Sequence, residues 1–132
     1  MSIKRKKKGI NELDENLVDG LSNGIEKSAR YLTNQIVRKV ETNIPPPLSP
    51  ETIQRKGSSV ALYDTGEMFS QIDADIEKRS AKVGVIGSKA SIAAHHEFGT
   101  VGIPERSFIR STFNEEKGRI GIIIAAEIEE KI

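Results

Sequence analysis

The chain contains no cysteine and no tryptophan in 132 residues, and only six aromatic side chains. Without cysteine there is no disulfide framework and no thiolate metal site, and nothing speaks for an oxidising compartment. With so few aromatics the core is expected to be mainly aliphatic. No apolar run approaches the roughly 20 residues that cross a bilayer. The N-terminus is charged with no apolar stretch behind it, so it is not read as a signal peptide. GxGxxG and Walker patterns are both missing, and Gly84, Gly87, Gly99 and Gly102 do not make a phosphate loop. The expectation is a protein made and used in a cytoplasm, or carried inside a particle assembled there.

What is present is ordinary for a soluble domain: 36% hydrophobic and 30% charged residues. A chain of this length favours one domain and can bury roughly two-thirds of its unfolded surface. The net charge of +1 hides a split. Lys4, Arg5, Lys6, Lys7 and Lys8 form an uninterrupted basic run, and taking away those five charges leaves −4 on the remainder. Residues 1–9 are expected to be a disordered basic tail, because adjacent like charges repel and nothing apolar offsets the ordering entropy.

Residues 10–132 are expected to form a single α+β domain. From Ile10, apolar residues recur at Leu13, Leu17, Leu21, Ile25, Ala29, Leu32, Ile36 and Val40, every step three or four. That spacing predicts one long amphipathic helix. Lys27, Arg30, Asn34 and Arg38 fall off the stripe. Gly20 and Gly24 each weaken the helix by about 1 kcal/mol relative to Ala and mark a point of bending. They also spell GxxxG, but the polar surroundings exclude the membrane-dimer reading. Pro45, Pro46 and Pro47 stop the helix and open an extended, polyproline-like linker over 44–60. Within it, Ser49 and Pro50 resemble the start of a short helix.

Asp64, Thr65, Gly66 and Glu67 fit a capping box, with Met68 and Ile72 on one face of the helix that follows. Alternation at Ala74/Ile76 and Val83/Val85 predicts two strands joined near Arg79 and Ser80. Ser88 or Ser91 then caps a two-turn helix that ends at Gly99 in a left-handed conformation. Ser107 caps a final helix running to about Lys131, with Ile109, Phe113, Ile120, Ile124 and Ile128 as its buried stripe. The β-branched run Ile120–Ile124 also fits a strand. The fold expected is a small antiparallel sheet with a long N-terminal helix and a C-terminal helix packed on it.

His95, His96 and Glu97 make up the cluster that invites catalysis or metal binding. Adjacent helical residues point about 100° apart, so two neighbouring imidazoles do not grip one ion. The zinc-protease motif needs a second histidine four residues on, where Thr100 stands, and no third ligand completes a closed site. A helix end packed on a neighbour is the simpler reading, and no enzymatic role, metal or cofactor is expected. Arg106 and Arg110 flank Phe108. Arginine and an aromatic at a loop-to-element junction suit an interface, whereas Phe108 alone also suits a core. The tail Lys4–Lys8 can neutralise phosphates, or simply keep the chain soluble.

Three stretches, taken in order, resemble the virion morphogenesis proteins of tailed bacteriophages, which complete the tail and join it to the head. The first is Pro47–Ser59, which runs into the second, Leu62–Met68. The third joins Ala93–Gly99 to Ile103–Arg110. The family's "HEFG(T)" stretch is followed by a proline, a small residue, Arg, often another Pro, and then Phe. Here Glu105 and Ser107 occupy the positions where Ala and Pro are common. The resemblance implies a structural protein of the virion neck, assembled in the host cytoplasm and acting as a ring, with sixfold symmetry favoured. It also implies partners: other copies of the chain, head-side adaptor or portal proteins, and tail tube or tail terminator proteins. DNA passing through the channel is a further contact, and no membrane is involved. The motif residues Asp64, Thr65, Gly66, Glu67, His96, Glu97, Phe98, Gly99, Pro104, Arg106, Phe108 and Arg110 are its interface candidates. The alternative is a nucleic-acid-binding module acting through Lys4–Lys8.

Overall fold

In the computed structural model, residues 10–42, 44–46, 48 and 67–132 are described. The basic run Lys4–Lys8, the short helix expected near Ser49, and Asp64, Thr65 and Gly66 of the expected capping box lie outside them. The elements follow in the order α1 (Ile10–Glu41), α2 (Glu67–Ser70), β1 (Ile72–Ile76), β2 (Ala81–Val85), α3 (Ala90–Phe98) and α4 (Ile109–Lys131). The architecture is α+β, as the periodicities predict.

The hairpin is antiparallel, with Ile72 opposite Val85 and Ile76 opposite Ala81. Its turn is closed by the Glu77 N–H, which donates to the Ser80 carbonyl at 2.8 Å. Ile72, Val83 and Val85 turn to the core, while Asp73, Asp75 and Lys82 face water. That alternation is what a half-buried strand requires. Met68 and Ile72 are buried in the same cluster, as expected of a shared face, but the helix ends at Ser70 and Ile72 already belongs to β1.

The core lies where the second half of α1 crosses the sheet. Leu32, Ile36 and Val40 bury against Met68, Ile72, Ala93 and Phe108. The first half of α1 has a different partner. It packs on α4, and there the close-contact line is not the leucine stripe. Gly20, Gly24 and Ser28 are buried, whereas Leu13 and Leu17 are 39% and 38% exposed. A Cβ at Gly20 would lie 2.6 Å from the Ile128 Cα, and one at Gly24 would lie 2.8 Å from the Ile124 Cα. The glycine pair is therefore a close-packing seam between two helices, the same backbone logic that GxxxG serves elsewhere. α1 runs through both glycines as one element of 32 residues, so the expected weak point is not an interruption. Lys27–Glu127 at 3.0 Å and Lys39–Glu115 at 2.7 Å flank the helix pair. Between them the Tyr31 hydroxyl donates to Glu116 at 2.6 Å, which holds the phenol above its ordinary pKa.

The final helix runs to Lys131 as expected, and Ile120–Ile124 is helical within it, so the strand alternative for that run is set aside. Two further expectations are corrected. Phe113 is 46% exposed, and the buried place on that turn is taken by Thr112, whose hydroxyl donates to the Phe108 carbonyl. The chain bends at Pro45 and Pro46, so the expected polyproline-like path does not run through them.

Among the described residues, no helix is long and apolar enough to cross a membrane.

Candidate functional site

The two stretches His96–Gly99 and Pro104–Arg110 meet where the end of α3 abuts the start of α4. Their meeting point is the carboxylate of Glu97, which is 3% exposed. A helix begins with N–H groups that have no partner inside it. Here the N–H groups of Phe108, Ile109 and Arg110 donate to Glu97 at 3.0, 2.7 and 3.2 Å. The next, from Ser111, donates to the Ser107 hydroxyl at 3.2 Å. That hydroxyl in turn donates to Glu97 at 2.5 Å. The Arg110 guanidinium adds a bond through Nε at 2.9 Å. Burial alone raises the pKa of the Glu97 carboxyl, but the bonds from Ser107, Ile109 and Arg110 outweigh it and hold the group below its usual range. A negative charge at this end of α4 also suits the helix dipole.

The capping is reciprocal, because α3 ends with carbonyls that need donors. Gly99 N–H serves His95 at 2.8 Å, Arg106 N–H serves His96 at 2.7 Å, and Arg110 Nη2 serves Glu97 at 2.9 Å. Gly99 makes the return possible. Its φ is +77°, and a Cβ there would stand 3.1 Å from the Glu105 nitrogen. Its ψ of 159° is extended, so the left-handed helical cap expected at this glycine is not formed.

Local cap rules therefore fail at both helices. Neither Ser88 nor Ser91 caps α3. The N-cap is Lys89, whose N–H donates to Gln71 Oε1 at 2.8 Å, while Ser88 accepts from Gln71 Nε2 at 3.1 Å. Ser107 supplies only one of the acceptors at α4, whose N-cap is Phe108. Glu97, eleven residues before Phe108, does most of the capping. Sequence proximity gives no sign of it, although a carboxylate inside one motif and a helix start inside the other was a usable signal.

The remaining candidates divide by burial. Phe108 is wholly buried, so of its two readings the structure takes the core. Arg106 is 4% exposed and reaches back to the proline segment, donating to the Ile44 carbonyl at 3.2 Å and to the Pro46 carbonyl at 3.0 and 2.5 Å. Burial lowers its pKa. Arg110 lies half-exposed over the Phe98 ring, 4.4 Å from its centre, and also pairs with Glu105 at 2.9 Å. The two departures from the phage pattern, Glu105 and Ser107, thus both add bonds to this junction. Glu67 pairs with Lys89 at 3.3 Å, away from the junction, and Pro104 is exposed in the connecting loop. His95 is exposed and His96 half-buried. Among the described residues, no group of three or more His, Cys, Asp or Glu side chains is placed to hold a metal.

The Arg106 arrangement carries a prediction. Arg106→Met keeps an apolar stem but leaves the Ile44 and Pro46 carbonyls without this donor. A loss of about 2 kcal/mol is expected in denaturant unfolding. Arg106→Lys should recover little, because one ammonium cannot reproduce the planar fork. Full rescue by lysine would show that charge alone matters there.

Compared with known proteins, the chain matches no protein-family model, no curated protein and no solved structure.

Proposed function

We propose that this chain is a structural protein of the phage neck, which completes the tail and joins it to the head as one copy in a ring. The observation that supports this reading is the use made of the motif residues. Glu97, Arg106 and Arg110, the charged groups with catalytic potential, are bound up in helix ends and backbone carbonyls. Beside the half-exposed Arg110 and the exposed Glu105, the junction presents apolar groups outward. Phe98 is 62% exposed, and Val101, at the tip of the turn closed by the Thr100–Ile103 bridge, is fully exposed. A rigid mount carrying an apolar tip suits docking to another protein.

The test is location. Virions carrying a tag on this protein should bind gold-labelled antibody at a single site, between head and tail. Label spread over the capsid, or absent from particles, would overturn the reading. A finer prediction concerns the tip. Val101→Asp adds a charge where nothing is buried, so folding should be unchanged within about 0.5 kcal/mol. Incorporation into virions, measured by quantitative blotting of purified particles, should fall by at least about tenfold if the tip lies in a desolvated contact. Normal incorporation would move the docking surface elsewhere.

A further inference from the structure

The hairpin leaves both of its outer edges unpaired among the described residues. The ladder phase is fixed by the Ile86 N–H donating to Gln71 and the Glu77 N–H donating to Ser80. With the observed register, Asp73 and Asp75 bond inward to Gly84 and Lys82. Ile72, Ala74 and Ile76 therefore turn their backbone groups out along β1, and Ala81, Val83 and Val85 turn theirs out along β2. Neither strand contains a proline or a bulge, two of the means by which edges are blocked. One outward group is engaged locally: the Ala74 N–H donates to the Asp73 carboxylate at 2.8 Å. Beside the β1 edge runs an open groove of about 480 Å³, lined by Arg30, Thr33 and Asn34 of α1 and by Asp73, Ala74 and Ile76.

The charges on the two edges differ. β1 carries two carboxylates, Asp73 and Asp75, and no cation. β2 carries Lys82 and no carboxylate. Joining β1 to β1 of another copy would gather four carboxylates on one face, and joining β2 to β2 would oppose two lysines. Joining β1 to β2 sets carboxylates beside lysine, as Asp75 and Lys82 already stand opposite each other within the chain. We infer that β2 of a second copy docks along the β1 edge and extends the sheet from subunit to subunit. Such a contact uses two different surfaces, so it propagates around a ring or along a helix and does not stop at a twofold dimer. The inference rests on the ring part of the proposed function and names the interface that would close it.

A reciprocal charge exchange tests it. One variant carries Asp73→Lys and Asp75→Lys, and the other carries Lys82→Glu. Circular dichroism checks that each is folded, and sedimentation velocity follows assembly. Wild-type chain should self-associate. Each variant alone should associate at least about tenfold more weakly, since like charges then meet at every contact. An equimolar mixture should recover assembly, because each basic β1 edge then meets an acidic β2 edge, and the reverse. Variants that assemble like wild type, or a mixture that stays dissociated, would overturn the edge pairing. So would a wild-type chain that remains monomeric at its highest soluble concentration. Gold labelling of virions reads the neck assignment separately, so either idea can fail without the other.

Discussion

Replacing Glu97 with alanine is expected to lower the unfolding free energy by about 3 kcal/mol. The figure combines a lost helix cap with buried donors left unserved. For a domain of this size that is a fall in melting temperature of about 10 °C. Glu97→Gln should cost less, about 2 kcal/mol, because one acceptor oxygen survives while the new amide hydrogens face donors. Arg110→Ala is the control. Arg110 is half-exposed, and the N–H groups and Ser107 still serve Glu97 without it, so a clearly smaller loss is expected. Equal losses for Glu97→Ala and Arg110→Ala would mean that the ion pair, and not the cap, carries the junction.

The same carboxylate sets a pH dependence. Its folded pKa lies below the ordinary value, so its contribution is fully present above the unfolded glutamate pKa of about 4.3. It is lost as pH falls through the lower folded value. Wild type and Glu97→Gln should therefore differ most near neutrality and converge as the solution is acidified below about pH 4. Denaturant midpoints measured across that range check the sign. A gap that widens in acid would contradict it.

How much of this was legible in advance depended on whether the deciding partner was near in sequence. The hairpin was legible because Ala74/Ile76 and Val83/Val85 alternate, and alternation belongs to a strand by itself. The second half of the α1 stripe was legible for the same reason, since Leu32, Ile36 and Val40 repeat with the helix and the core takes that face. The capping of α4 was not, because cap rules look three or four residues along the chain and Glu97 arrives from another helix. Phe113 was misplaced because a stripe drawn from hydrophobicity ignores hydroxyls such as Thr112, which bonds back to its own helix and takes the buried place on that turn. The motifs indicated that residues 96–110 form a unit. They did not indicate that Glu97 and Arg106 are buried.

Glycine offers the sharpest separation between local and tertiary reasoning, and the largest effect outside the junction. Four glycines lie inside the two long helices, and helix propensity alone predicts that each gains about 1 kcal/mol on conversion to alanine. Gly118 and Gly121 should behave that way, because a Cβ at either meets nothing within 4 Å. Gly20 and Gly24 should do the opposite. The atoms a Cβ would strike there are the Ile128 and Ile124 Cα atoms, which belong to a backbone that cannot rotate aside as a side-chain tip can. Overpacking typically costs 1–3 kcal/mol, which exceeds the propensity gain over most of that range. Each alanine is therefore expected to destabilise by about 1 kcal/mol net, and Gly24→Leu by about 3. Combining Gly20→Ala with Gly24→Ala should cost less than the sum, since helices already moved apart for one methyl have room for the other. Urea unfolding of the five single variants and the double variant gives every sign needed. If all four alanines stabilise alike, α1 and α4 do not approach as closely as the glycine seam requires.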